Sequence, residues 1–287
     1  MIRRIAKHGV GILLTALLGG LLSATLVRFA PGFGVDEEEL DARLNADSVA
    51  ALRQARASQA NLGKFYLTYL VRLAHGDLGV SRTLNQPIAG LLARRLPVTL
   101  RSLAMGLLLA WSLGLAFAVT ASMLRVWQVD LLATALAGSF LCIPAAVVAL
   151  FSVVLNLPSW FAIGIVVFPK VFRYTRNVLA KAFAMPHVLA ARAKGLRPVR
   201  ILFWHVLPIS LPQTLALAAV SVNLALSAAI PIEALCDVPG VGQLAWQAAL
   251  GRDLVLLVNL TVVVALVTLI TNSASVMLES SGGANAA

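Results

Sequence analysis

Charge is what this chain has least of. Only 12% of its residues are Asp, Glu, Lys or Arg, about half of the roughly 25% usual in soluble domains. A large soluble core does not explain this, because helices that face water carry a charged stripe every few residues. Charge is missing over whole stretches: 9–27, 102–124, 131–169 and 254–278 hold none, and 201–232 holds only His205. Cysteine is nearly absent. Cys142 and Cys236 have no metal-ligand spacing and give no support to a structural disulfide, so both read as packing residues and no metal is assigned. No Gly-x-x-x-x-Gly-Lys-Ser/Thr loop occurs, so the chain does not hydrolyse ATP alone. No catalytic residue and no cofactor are assigned to it. No internal repeat is visible, which weighs against an inverted-repeat secondary transporter.

What is present is apolar: 60% hydrophobic residues with a mean hydropathy of +0.89. Such a chain meets lipid rather than water. A bilayer core about 30 Å thick needs about 20 helical residues, so four of the runs are one span each. The run 131–169 would measure about 58 Å as helix, too long for a single crossing. Asn156-Leu157-Pro158-Ser159 is its natural turn. The sequence therefore predicts an all-α, polytopic transmembrane helical bundle of six spans. They fall near 9–29, 98–124, 131–154 (interrupted by Pro144), 158–178, 207–232 and 254–278. The first run exceeds the usual length of a signal-peptide core and lacks a good cleavage site, so it reads as a retained anchor. The fourth meets Lys170 early and is expected to run on past Arg173 and Arg176, with side chains snorkelling to the headgroups.

The placement of the charge sets the orientation. Between Asp130 and Glu233 there is no acidic residue, yet Lys170, Arg173, Arg176, Lys181, Arg192, Lys194, Arg197 and Arg200 lie there. That is the positive-inside signal. It places 179–206 in the cytoplasm, with both termini. Residues 1–97 read as an anchor span plus an outer segment, and 98–280 as the transmembrane domain. The outer segment holds an acidic run at 36–41 and an expected helix over 47–74. Leu52, Leu62, Phe65, Tyr66, Tyr69, Leu70 and Leu73 make its partial apolar stripe. It is either a solvated cap or a docking surface for an external protein.

The inner loop is the most specific feature. Leu189, Ala190, Ala191 and Ala193 belong to a short helix, Gly195 permits a sharp turn, and Pro198 opens a second helix. Leu196 and the stretch to His205, Leu207 and Pro208 complete a compact knob. Taken alone, it is equally a basic helix on anionic lipid or a simple topology determinant.

That loop resembles the coupling loop of ABC importer permeases. Ala191, Gly195, Leu207 and Pro208 match its pattern, and the string 191–196 with His205 is closer to the dipeptide, oligopeptide and nickel branch. Leu189 stands where the wider family has an acid. Three more stretches agree in order: Arg28 to Gly32; Gly76 to Ser81 with Arg95 to Leu100; and Glu233 with Pro239-Gly240-Val241-Gly242 and Arg252-Asp253. Cys236 replaces the usual aromatic before the Pro-Gly pair. The resemblance implies a permease subunit that moves peptides or similar small solutes. It implies a second permease, two cytoplasmic ATPases that bind the ATP, and an external solute-binding protein as partners. The loop would dock in an ATPase.

Within the spans, Ser221, Asn223, Ser227, Asn259 and Asn272 are polar. Such groups face a cavity or hydrogen-bond between helices, so they are either a translocation lining or interhelical glue. Glu233, with Pro239 and Gly240, is an outer gate, a receptor contact, or a partner of Arg252. No acid is expected inside a span, which argues against an ion-gradient-driven transporter. A non-transporting scaffold is the remaining alternative.

Overall fold

The computed structural model describes residues 11, 14, 15, 17–26, 62–124 and 127–284. The acidic run at 36–41, the stretch 47–61 and the N-terminal basic residues lie outside the described residues. In chain order the elements are α1 (Leu17–Leu26), α2 (Leu62–Ala74), an antiparallel hairpin of β1 (Val80–Ser81) and β2 (Gln86–Pro87), α3 (Ile88–Leu124), α4 (Trp127–Cys142), α5 (Ala145–Val154), α6 (Ser159–Phe183), α7 (Pro186–Ala193), α8 (Pro198–Ile201), a π turn (Leu202–Val206), α9 (Leu207–Leu235), α10 (Val241–Leu250) and α11 (Leu254–Ala284).

Three helices are long and apolar enough to cross a bilayer: Ile88–Leu124, the rod Pro198–Leu235 made of α8, the π turn and α9, and Leu254–Ser273 of α11. The predicted third span is not straight. α4 and α5 qualify only as a pair, bent by 91° at Pro144, which lacks the N–H that would continue the ladder. The turn expected at Asn156 is present: Asn156 has φ +54, and Leu157 N–H returns to the Ser152 carbonyl at 2.7 Å. α6 then runs for 25 residues past Lys170, Arg173 and Arg176, about 37 Å of helix. Among the described residues the six expected crossings thus resolve into three long apolar helices, one bent pair, the basic α6 and the short α1. The segment 179–206 is mostly helix, and the fifth rod begins at Pro198 rather than 207. Its α9 part also takes in Glu233, which the sequence reading puts just beyond the span.

The chain divides into two units. The first comprises residues up to Arg95 together with Leu244–Val267, so the first part of the sixth run, as far as Val267, shares a unit with the N-terminal segment. Tyr66 and Tyr69 of α2 pack with Ala24, Leu254 and Val258 there. α1 approaches so closely at Gly20 that a Cβ would lie 2.9 Å from Val262.

The second unit comprises Leu96–Gln243 and the chain from Thr268. In it α3 and α6 run parallel with their backbones nearly touching. A Cβ at Gly106 would lie 2.8 Å from Ile163, and one at Gly114 would lie 2.7 Å from Val171. Small residues at such crossings let membrane helices pack by dispersion where no hydrophobic force separates protein from lipid. A second core joins Phe172, Leu179 and Phe183 of α6 to Val188, Ala191, Ile201 and Val206.

Candidate functional site

The knob that follows α6 is built from its helix ends. Met185 is extended, and Pro186, which needs no N–H partner, starts α7. At its far end Gly195 adopts φ +75. Its N–H reaches the Arg192 carbonyl at 2.8 Å, and Leu196 N–H reaches that of Ala191 at 3.3 Å. These two bonds are the Schellman cap, which needs a left-handed residue at that position. Pro198 then opens α8, and the His187 Nε2 lies 3.3 Å from the His205 carbonyl oxygen. The result is an elbow, α7–Gly195–α8, with one face fixed to the body. Val188, Ala191, Ile201, Leu202 and Val206 are buried, with Leu196 and Leu207 packed beside them.

The other face is uncovered. Leu189 is 54%, Phe203 60% and Trp204 76% exposed, and Ala190, Ala193, Gly195 and Pro208 are exposed with them. Of the coupling residues expected from sequence, Ala191, Leu196 and Leu207 therefore hold the elbow in place. Leu189, Ala190, Ala193, Gly195 and Pro208 present its surface. His205 is half-buried and belongs to the π turn. Phe203 and Trp204, read from sequence only as part of an apolar face, are its most prominent groups.

The polar residues of the spans separate into different surroundings. Asn223 Nδ2 donates to Asn272 Oδ1 at 2.6 Å, and the Ser227 hydroxyl donates to the Asn223 carbonyl. These three form one group. Ser221 is buried and accepts from Trp111 Nε1 at 3.0 Å. Asn259 belongs to the other unit, where its Nδ2 donates to the Leu78 carbonyl at 3.1 Å and its Oδ1 accepts from the Tyr69 hydroxyl at 3.4 Å. Burial pushes that phenol up to about 12, so it stays a donor at any physiological pH.

Two buried acids organise the segments around α10 and the hairpin, each within one unit. Glu233 is fully buried. Its Oε2 accepts from the Thr99 hydroxyl at 3.1 Å and from Gly242 N–H at 2.7 Å. Val241 N–H donates to the same threonine oxygen at 2.7 Å. The carboxylate and the hydroxyl thus satisfy the first N–H groups of α10, where an acid also suits the helix dipole. Gly240 and Gly242 lack side chains for a reason. A Cβ at Gly240 would fall inside the Glu233 carboxylate, and one at Gly242 would lie 2.7 Å from Ile230 Cα. Of the three residues expected at an outer gate, Pro239 is exposed while Glu233 and Gly240 are buried. Glu233 takes its hydrogen bonds from Thr99 and Gly242, with the Gln243 backbone beside them. In the other unit Asp253 Oδ2 accepts from the Ser81 hydroxyl at 2.6 Å and from Thr83 N–H, while its Oδ1 caps α11 at Leu256 N–H. Sequence reasoning missed the roles of Thr99 and Asp253. An Asp directly before an apolar run is a helix-cap signal that would have found the second.

Helices long and apolar enough to cross a membrane, together with an elbow fixed on one side and exposed on the other, define the class of an importer permease. A chain of the MetNI methionine ABC transporter in an inward-facing conformation superposes with a TM-score of 0.61 at 18% identity, covering 68% of this chain and 97% of that one. That likeness establishes the fold. Residues 106–281 match the family described as binding-protein-dependent transport system inner membrane component. The oligopeptide transport system permease protein OppB of Escherichia coli (strain K12) is 30% identical over 221 residues, 69% of this chain and 72% of OppB. A Brucella suis biovar 1 chain provisionally named as a peptide permease protein is 26% identical, the match covering 92% of this chain and 91% of its own length. The chain belongs to the binding-protein-dependent transport system inner membrane component family, the permease subunits of ABC importers.

Proposed function

We propose that this chain is one of two permease subunits of an importer that moves peptides inward, with its elbow seated in a cytoplasmic ATPase. The observation that carries the reading is the two-sided elbow: fixed by a buried core on one side and bare of partners at Leu189, Phe203 and Trp204 on the other. A displacement applied to that face passes to α6 and α9 as rigid bodies. The names of the similar permeases support a peptide as solute. ATP is bound by the ATPases, and an external binding protein delivers the solute to the outer segments. Both termini and the elbow face the cytoplasm, and the chain crosses the membrane six times. Asn223, Ser227 and Asn272 line the path, while Ser221 and Asn259 support it from their own hydrogen bonds. The Glu233 knot holds the outer loop carrying Pro239 and Gly240, which forms the outer gate or the receptor contact.

The test is Gly195→Val in the reconstituted importer. A β-branched residue in the left-handed region costs about 1–2 kcal/mol, enough to deform the cap without preventing insertion. Peptide uptake should fall while ATP hydrolysis by the ATPases persists. Unchanged uptake refutes the docking role, and uptake that survives removal of the ATPases would instead identify an ion-driven transporter.

A further inference from the structure

α6 has one face that the reading above does not use. Lys170, Arg173, Asn177 and Lys181 are exposed along it, with Tyr174 41% exposed between them. They recur at three- and four-residue spacing, so they form one stripe. The opposite face, with Val171, Phe172, Thr175, Val178 and Leu179, is buried.

The parallel packing of α3 gives this stripe a depth. Gly106 meets Ile163 and Gly114 meets Val171, so positions of α6 lie level with positions 57 lower in α3. The charge-free run of α3 is 102–124, and its midpoint is Leu113. Lys170 is therefore level with the centre of an apolar span, about 16 Å from either end. Arg173 lies one turn further along, and Lys181 is level with the inner end. A lysine stem does not reach the headgroups from mid-span, and a charge exposed to lipid there is strongly disfavoured. No acid lies on α5, α6 or α7 beside the stripe, and Glu233 of α9 is engaged with Thr99 and Gly242. Like charges aligned without counter-ions persist where water hydrates them.

We infer that this basic face of α6 lines the water-filled path of the importer and favours solutes carrying a free carboxylate. The inference rests on the permease reading above. It corrects the expectation that Lys170 and Arg173 simply snorkel to headgroups. The carboxylate preference follows from charge complementarity: a cationic wall concentrates anions and speeds their entry.

The test uses the assembled importer with Cys142→Ser and Cys236→Ser, and single thiols introduced as Tyr174→Cys, Asn177→Cys and, on the buried face, Leu179→Cys. The probes are an anionic sulfonatoethyl and a cationic trimethylammonioethyl methanethiosulfonate. The thiols at 174 and 177 should react from water and that at 179 should not. The anionic probe should be favoured by about tenfold over its ratio on free cysteine, and Lys170→Gln with Arg173→Gln should erase that preference. Reaction only with a lipid-soluble maleimide overturns the inference in favour of lipid. Reaction only after the second permease is removed overturns it in favour of a subunit contact. Water reaction without a charge preference overturns the carboxylate selection. Uptake of trialanine should exceed that of its C-terminal amide, and the double Gln variant should remove the difference. If neither peptide is taken up with ATP while both thiols remain water-reactive, the lining stands and the peptide reading beneath it falls.

Discussion

The Thr99 hydroxyl donates to Glu233 and accepts from Val241, so replacing it with valine removes two bonds from one buried knot. A buried polar group left without its partner costs about 1–3 kcal/mol. Thr99→Val should lower the unfolding midpoint of the purified protein and expose the 236–241 segment to protease, whereas Thr99→Ser, which keeps the hydroxyl, should do neither. Equal behaviour of the two variants would show that the knot does not hold the loop. Gly242→Ala tests the same place from the steric side. Its methyl would meet the backbone of α9, which has little room to move, at a cost of about 1–3 kcal/mol. Cys236 is half-buried, burial pushes its thiol up, and its Sγ lies against the Ala149 carbonyl, whereas Cys142, also read as a packing residue, is exposed.

Among the elements, α3 and α6 meet backbone to backbone at their glycines. Gly106→Leu would drive a side chain into Ile163 and the Trp160 carbonyl. It should cut the yield of folded protein and its thermal midpoint, whereas the same change at Gly138, where nothing lies within 4 Å, should leave both unchanged. The legibility of the elements in the sequence followed from local chemistry. The break at Asn156 to Ser159 and the turn at Gly195 were readable because a left-handed residue or a proline marks each one. The 91° angle at Pro144 was not, since a proline marks a break without fixing its direction. The early start of the fifth rod was missed because the second helix of the loop and the apolar run after it read as separate pieces, and the π turn at Leu202–Val206 joins them. The pairing of Thr99 with Glu233 spans 134 positions and obeys no local rule. Both ends were noticed only as separate stretches resembling one family.

For the whole molecule the decisive quantity is the side of the membrane on which the elbow lies. Lys194→Cys, exposed beside Gly195, should resist an impermeant maleimide added to intact cells and react in inverted vesicles. Gln86→Cys in the exposed hairpin should do the reverse. Labelling of position 194 from outside would invert the assembly. Within this frame the π turn at Leu202–Val206 acquires a mechanical meaning. Its surplus residue sets the winding of Phe203 and Trp204 about 100° out of phase with an unbroken α-helix continued from α9. The rod from Pro198 to Leu235 is then a spindle with an offset crank at one end. A sideways push on the crank arrives at Asn223 and Ser227 partly as torsion, and deleting one residue from that turn would swing the crank out of its seat with the spindle itself still whole.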